Sequence, residues 1–405
     1  YVLLDTLRAY ARERLEEAGA IDTWRRRHAE HYATAAERVA EELLTSAPWT
    51  AVFEFRTDVE NFRAAVDWAI DSEDRADLEL AVRIVAALGA RVILYASWAD
   101  RVLSRASDAS PDQRAALLVA AAISARNRAA SAESVALARA AIAAAPHDNV
   151  TFMFAHSILA LGEASRGRIS DGLSVLEEAL SGLRSRGGNL VAEAGLESAT
   201  ARLLALRGDP AARQHIEEAV RAARSSGTPV SITNTLSTYA TILAPDDPNA
   251  ALKAANESVE IGVGANLRPA IALRTLLRVR AGEPAGALHE LREALDYPSQ
   301  RSYWNSTYEV LARAVRAVEA LGDATAAAEL EACAQAGPFA AQNLFPLGER
   351  EDQAQTTARI RAAIGDATYD AIIADAAALG PDAVVERALA ILDRLIDQTG
   401  DYRYL

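Results

Sequence analysis

His28 and His31, with Glu30 between them, stand at the i, i+3 spacing that puts two imidazoles on one side of a helix, as the start of a metal site would. Two ligands cannot close a tetrahedral shell, and no His-Glu-x-x-His string is formed, so the pair reads as a solvated basic face. His147, His156, His215 and His289 are scattered over different stretches and read as surface or packing residues. Cys333, the single cysteine, has small apolar neighbours and no activating cation, the setting of a buried small hydrophobe rather than a nucleophile. Lys253 is the single lysine, and no glycine lies near it. A P-loop needs Gly-x-x-x-x-Gly-Lys-Ser/Thr to bring a lysine to the β- and γ-phosphates, so the chain carries no such loop. The same count excludes Ser-x-x-Lys acyl transfer, and no Gly-x-Ser-x-Gly elbow occurs. Gly262-Val263-Gly264 matches half of a dinucleotide loop but follows a helical stretch, where glycine reads as a helix end. Carboxylate pairs such as Glu177-Glu178 and Glu217-Glu218 recur with the helices, which marks them as architecture. The chain therefore reads as non-enzymatic, with no metal and no cofactor of its own.

The elements that carry these residues are helical. Alanine and arginine are abundant, and apolar residues recur at three- and four-residue spacing, as in Leu173, Leu176, Leu180 and Leu183. Breaks at Gly167, Gly208, Pro245-Asp246-Asp247-Pro248, Gly282 and Gly322-Asp323 are spaced by 41, about 38, about 36 and 40 residues. Each of the first four breaks is followed by a similar helix: SDGLSVLEEAL, DPAARQHIEEAV, DPNAALKAANESV and EPAGALHELREAL. A helix–turn–helix repeated at this period is the signature of an α-solenoid whose unit is slightly longer than the 34-residue tetratricopeptide (TPR) repeat. The predicted fold is an all-α, TPR-like solenoid, a right-handed superhelix. Its repeats span 111–336, a helical adaptor precedes them over 21–110, and a helical cap follows over 353–405. Residues 337–352, with two prolines and two glycines, read as a linker. Trp24, Trp49, Phe53, Phe62, Trp68 and Trp98 are the expected aromatic anchors of the adaptor, and Tyr303, Trp304 and Tyr308 cluster late in the array.

Acidic residues outnumber basic ones 56 to 42, a net charge of −14, which opposes direct nucleic-acid contact. No apolar run is long enough to cross a membrane. One cysteine excludes an internal disulfide and fits a reducing cytoplasm. The start, YVLLDTLRAY, has neither an initiating Met nor a secretory pattern and reads as a continuation of something upstream.

Three stretches resemble bacterial signal-transducing ATPases of the STAND type. Residues 1–20 resemble the end of the winged helix that follows the ATPase module in that family. Asp58-Val59-Glu60-Asn61-Phe62-Arg63-Ala64-Ala65-Val66-Asp67-Trp68-Ala69 is similar to the family's acidic, Arg-Ala-Ala, Trp-Ala helix. Ile360-Arg361-Ala362-Ala363-Ile364-Gly365-Asp366, Tyr369 and Asp382-Ala383-Val384-Val385 resemble the segment that closes the repeats, with Tyr369 where relatives usually have Phe. Residues 88–105 lack the Gly- and Glu-containing pattern of relatives.

The resemblance implies the sensor region of a LuxR-like, SARP-like or cyclase-linked transcriptional regulator. ATP or ADP and Mg would then belong only to the upstream ATPase domain, which would itself be a partner. It also implies which positions of each first helix face the concave groove: His156, Glu163, Glu197, Thr200, Asn234, Ser237, Thr241, Arg274 and Arg278. That groove would run from acidic through hydroxyl and amide to basic. Arg274 and Arg278 would offer bidentate contacts to a carboxylate or phosphate of a protein partner or small polar effector. A constitutive interaction scaffold without a nucleotide switch is the alternative reading, and an apolar edge of the array could pair two copies.

Overall fold

The computed structural model describes residues 5–89, 96–144, 147–296, 304–337, 339–340, 342 and 344–399. Among them every regular element is helical. Five helices come first: α1 (Asp5–Glu17), α2 (Ile21–Glu42), α3 (Trp49–Asp71), α4 (Arg75–Leu88) and α5 (Ala96–Leu103). Six antiparallel hairpins follow. They are α6 (Pro111–Asn127) with α7 (Ser131–Ala143), α8 (Asn149–Ser165) with α9 (Ile169–Ser185), and α10 (Leu190–Leu206) with α11 (Ala211–Ser226). The next three are α12 (Pro229–Leu243) with α13 (Pro248–Ile261), α14 (Leu267–Arg280) with α15 (Ala287–Leu295), and α16 (Trp304–Ala320) with α17 (Ala324–Ala336). Three helices close the chain: α18 (Leu347–Ile364), α19 (Asp366–Ala376) and α20 (Pro381–Thr399). The expected all-α repeat array is the fold.

Local chemistry sets the hairpins. First helices α8 and α10 open on Asp148 and Asn189, and second helices α13 and α17 on Asp247 and Asp323, whose side-chain oxygens accept backbone N–H bonds of the first turn. Ser110 and Gln113 form a reciprocal capping box at α6. Small residues then let the helices approach. A Cβ on Gly172 would lie 2.6 Å from the Ala160 carbonyl oxygen, so α9 packs on α8 only because that position is glycine.

In five of the six hairpins the first helix ends in one motif. A residue with positive φ follows the helix, and the next N–H reaches back to the carbonyl five residues earlier: Ala130 to Ala125, Arg168 to Glu163, Asp209 to Leu204, Glu283 to Arg278, and Asp323 to Val318. The positive-φ residue is Gly167, Gly208, Gly282 or Gly322 in four of these, and Ala129 (φ 60°) in the first. Alanine at that position hid the first break from a reading based on glycines.

The array curves back on itself. Thr228 Oγ1, at the turn into α12, donates to the Leu44 carbonyl just past α2, 3.0 Å away, and α16 approaches α6. The adaptor core forms around Phe62, Ile84 and Leu88, with Tyr32 and Phe62 edge to face at 4.9 Å. Two expected anchors are not buried there. Trp24 (52% exposed) and Phe53 (73% exposed) face outward, because the apolar period of α2 and α3 is carried by residues such as Ala29, Val39, Phe55 and Val66. Phe62 and Trp98 are buried and Trp68 is half-buried, while the Trp49 side chain, Tyr303, and residues 1–4, 90–95 and 401–405 lie outside the described residues.

The described residues of 337–352 do not form an exposed linker. Phe339 and Phe345 are buried, and α18 starts at Leu347. The Pro and Gly of this stretch set a turn, but its phenylalanines carry enough apolar area to bury it as a strap against the repeats.

Ala129→Gly relieves a left-handed conformation worth about 1–2 kcal/mol for an L-residue, against roughly 0.5–1 kcal/mol of added chain entropy in the unfolded state. The variant is expected to be more stable by about 0.5–1 kcal/mol, read from the urea midpoint. An unchanged or lower midpoint would show that Ala129 is held without strain.

Candidate functional site

The inner face of the array is built from first helices, and its centre is Arg313 on α16. The Arg313 side chain is fully buried, yet its donors are used. Its Nε and one terminal nitrogen reach the two Glu349 oxygens at 3.1 and 3.4 Å, the other reaches the Pro269 carbonyl at 2.8 Å, and Thr241 Oγ1 accepts at 3.2 Å. One guanidinium thus ties α12, α14 and α16 to α18. Arg316, one turn on, donates to Glu349 Oε1 at 2.5 Å and to Asp352 Oδ2 at 3.2 Å, and Arg280 of α14 holds the other Asp352 oxygen at 2.9 Å. Burial by itself raises a carboxyl group; the charges and hydrogen bonds of Arg313 and Arg316 outweigh it and hold Glu349 at about 2.

The strap lies over this network. The Phe345 ring sits 5.6 Å from that of Tyr308, with the Arg313 and Arg316 guanidinium carbons 5.7 and 5.9 Å from its centroid. Arg350 donates to the Leu206 carbonyl at 2.6 Å, and Gln342 to the Ala129 carbonyl at 3.1 Å, so the strap and the start of α18 touch the first, third and sixth hairpins. Beneath it remains a cavity of about 30 Å³, lined among others by Arg202, Ser237, Thr241, Asn266, Glu309 and Phe345.

Of the nine residues expected in the groove, Ser237 and Thr241 line this cavity. Asn234 borders it: its Oδ1 and its carbonyl accept from the Asn266 backbone and side chain at 3.1 and 3.3 Å. The other six lie elsewhere. Glu163 (1% exposed) is gripped by Arg139 at 2.7 Å and by Arg168, which offset the upward push of burial on its carboxyl. Glu197 accepts from His215 Nδ1 of α11 at 2.7 Å. Arg274 and Arg278 do bind a carboxylate, but it is Glu290 of their own hairpin, at 3.0 and 2.9 Å. Thr200 is buried on the Leu196 carbonyl, and His156 bonds the Phe152 carbonyl of its own helix at 2.8 Å. Glu197, Arg274 and Arg278 thus face the second helix of their own hairpin. A helix turns about 100° per residue, so Arg202, five residues past Glu197, lines the cavity while Glu197 faces the seam.

Arg202, Glu309, Arg313, Arg316, Phe345 and Glu349 escaped the sequence reading. A signal existed: Arg313 and Arg316 interrupt the apolar run of α16 where Leu311, Ala314, Val315 and Val318 are buried, and a charge in such a run needs a partner.

Other chemistry-bearing residues are placed as follows. Cys333 is buried and its thiol is pushed up to about 11 by that burial, the reverse of an activated nucleophile. Burial and the neighbouring His31 press His28 down from its usual range. Among the described residues the group with metal-like spacing is Glu197, His215 and Glu218, in which Glu197 is already bonded to His215 and has Arg184 at 3.8 Å. Trp304 and Tyr308 are buried, as aromatics at helical spacing usually are. Among the described residues no helix is long and apolar enough to cross a membrane.

Glu349→Gln leaves two buried guanidinium groups without their shared countercharge and is expected to cost about 3–5 kcal/mol. The pH dependence separates this from a packing loss. A carboxyl depressed in the folded state adds stability above its unfolded value of 4.5, and that stability is lost as pH falls from there toward about 2. Urea midpoints between pH 6 and pH 2.5 should therefore fall less steeply in the variant than in the natural chain.

No family model matches the chain, and no curated protein matches it in sequence. Among solved structures, it is similar to a Rap protein complexed with competence and sporulation factor. The TM-score is 0.52 at 13% identity, covering 91% of this chain and 99% of that one. That likeness is one of fold: a TPR-like helical-repeat protein.

Proposed function

We propose that this chain is a non-catalytic, TPR-like interaction arm, and that it regulates a nucleotide switch of the STAND type to which it is joined. The order of the resemblances at residues 1–20, 58–69 and 360–385 supports the second half of this reading. The first half rests on one observation: the inner face, which in a helical solenoid is the extended binding surface, is covered by the chain's own strap through an ionic latch. The Rap protein of like fold, complexed with competence and sporulation factor, lends support to a bound partner for this fold.

In the closed state Phe345 and Glu349 fill the place a partner would take. A protein segment offering an aromatic ring and a carboxylate competes for Arg313 and Arg316 and opens the array. Carrying such an equilibrium from 1:99 to 99:1 takes about 10⁴-fold preference for the open state, about 5.5 kcal/mol. The attached ATPase would feel that change, with ATP and Mg confined to it. A constitutive scaffold is the second reading, favoured by the solenoid form alone; it predicts partner binding that ignores whether ATP or ADP occupies the upstream module.

The test uses a Phe345→Ala, Glu349→Gln double variant, checked for retained helicity by circular dichroism. A fluorescent peptide of residues 344–352 is expected to bind this variant at least about tenfold more tightly than the natural chain, whose own strap competes. Equal affinity for both, or no binding to either, would make the strap plain core and remove the latch.

A further inference from the structure

We propose that Glu197, His215 and Glu218 form a binding site for a divalent transition-metal ion of the Zn²⁺ class, set in the seam of the third hairpin. The site goes beyond the interaction reading above and involves no residue of the strap.

Placement comes first. His215 and Glu218 stand three residues apart on α11 and so share one side of that helix, which Glu197 of α10 meets across the seam. One donor atom from each of the three lies within 4.8 Å of the other two. A tetrahedral zinc site has bonds of about 2.0–2.2 Å, which sets its ligand atoms about 3.3 Å apart. His215 Nδ1 and Glu197 Oε2 are already 2.7 Å apart. The remaining adjustment, at most about 1.5 Å, falls to the Glu218 side chain, which is partly exposed.

Charge comes second. Elsewhere in the array a carboxylate at a hairpin seam is met by two guanidinium groups: Glu163 by Arg139 and Arg168, and Glu290 by Arg274 and Arg278. Glu197 breaks that pattern. Its side chain is 3% exposed, yet Arg184 stands 3.8 Å from its Oε1, beyond hydrogen-bond distance. That oxygen accepts no hydrogen bond among the described residues, and Oε2 has the His215 imidazole alone. Glu218 adds a second carboxylate to the same seam. Its Oε1 takes the Gln214 side chain at 3.1 Å and has Arg221 at 3.7 Å, while its Oε2 accepts no bond among the described residues. Buried charge without a full countercharge is costly, and one divalent cation offsets both carboxylates at once.

Donor chemistry decides the class. An imidazole beside two carboxylates suits Zn²⁺ and its first-row neighbours, whereas Ca²⁺ and Mg²⁺ take shells of six or more oxygens. Three protein ligands leave the fourth position to water, and the partial exposure of His215 and Glu218 gives the ion a way in. The Gln214 bond to Glu218 is the outer contact that orients a ligating carboxylate. Binding exchanges the His215–Glu197 hydrogen bond for two coordinate bonds and releases the proton that lies between them.

The experiment is isothermal titration of the natural chain with Zn²⁺, against Mg²⁺ as control, followed by Co²⁺ read through its visible absorption, which is strong in four-coordinate sites. One-to-one, saturable Zn²⁺ binding and a four-coordinate Co²⁺ spectrum are expected. Affinity should fall at least about tenfold in His215→Ala and in Glu218→Gln, both at partly exposed positions, with helicity retained by circular dichroism. His147→Ala, which removes an exposed imidazole beside Asp112, should change neither readout. No saturable Zn²⁺ binding, unchanged affinity in His215→Ala or Glu218→Gln, or loss of binding in His147→Ala would overturn the site. These variants leave Phe345 and Glu349 untouched, so their outcome is independent of the peptide competition above.

Discussion

Everything on the inner face hangs on a guanidinium that has no contact with water. Stripping Arg313 of solvent is expensive, and a buried ion pair recovers that cost only with good geometry and further hydrogen bonds. Arg313 has both: a carboxylate facing two of its nitrogens, a carbonyl from α14 and a hydroxyl from α12. The consequence is positional. Apolar side chains of the same volume could stabilise α18 as well, but they would let it slide. Glu349 meets Arg313 and Arg316 in one register alone, and that register seats Phe345 on Tyr308 and Leu347 against Gly208.

A second pattern runs through the hairpin seams. Glu163 with Arg168, and Glu197 with His215, set an acid on the first helix against a cation at or on the second. In the fifth hairpin the signs are exchanged, with Arg274 and Arg278 on the first helix and Glu290 on the second. In the first and fourth the polar contact shrinks to a hydroxyl: Ser134 on the Ala122 carbonyl and Ser258 on that of Thr233. Each of these five hairpins keeps a polar bond at the seam, where it fixes the rotation of one helix against the other. Glu163, Glu197, Arg274 and Arg278 among them were expected in the groove.

The legibility of the sequence follows from this. Periodic apolar residues and regularly spaced glycines make the array readable, because they act locally: a left-handed turn needs glycine whatever surrounds it. Ala129 breaks that rule, and there the sign of the first turn was lost. Whether a polar residue faces a seam or the axis depends on a rotation of one or two residues, which no composition rule resolves. Asp58–Ala69 and Ile360–Tyr369 stand out by residue type, yet Phe345 and Glu349 derive their meaning from Arg313 and Arg316 some thirty residues away. Pro346 and Gly348 read as linker chemistry, and only tertiary contact turns their neighbours into core.

A closed interior changes what affinity means for this molecule. A ligand that needs the strap displaced is weakened by the fraction of molecules already open. At one open molecule in a hundred, its apparent dissociation constant is about a hundredfold higher than its intrinsic one. A segment that brings its own carboxylate to Arg313 and Arg316 would favour the open state, because Glu349 must leave.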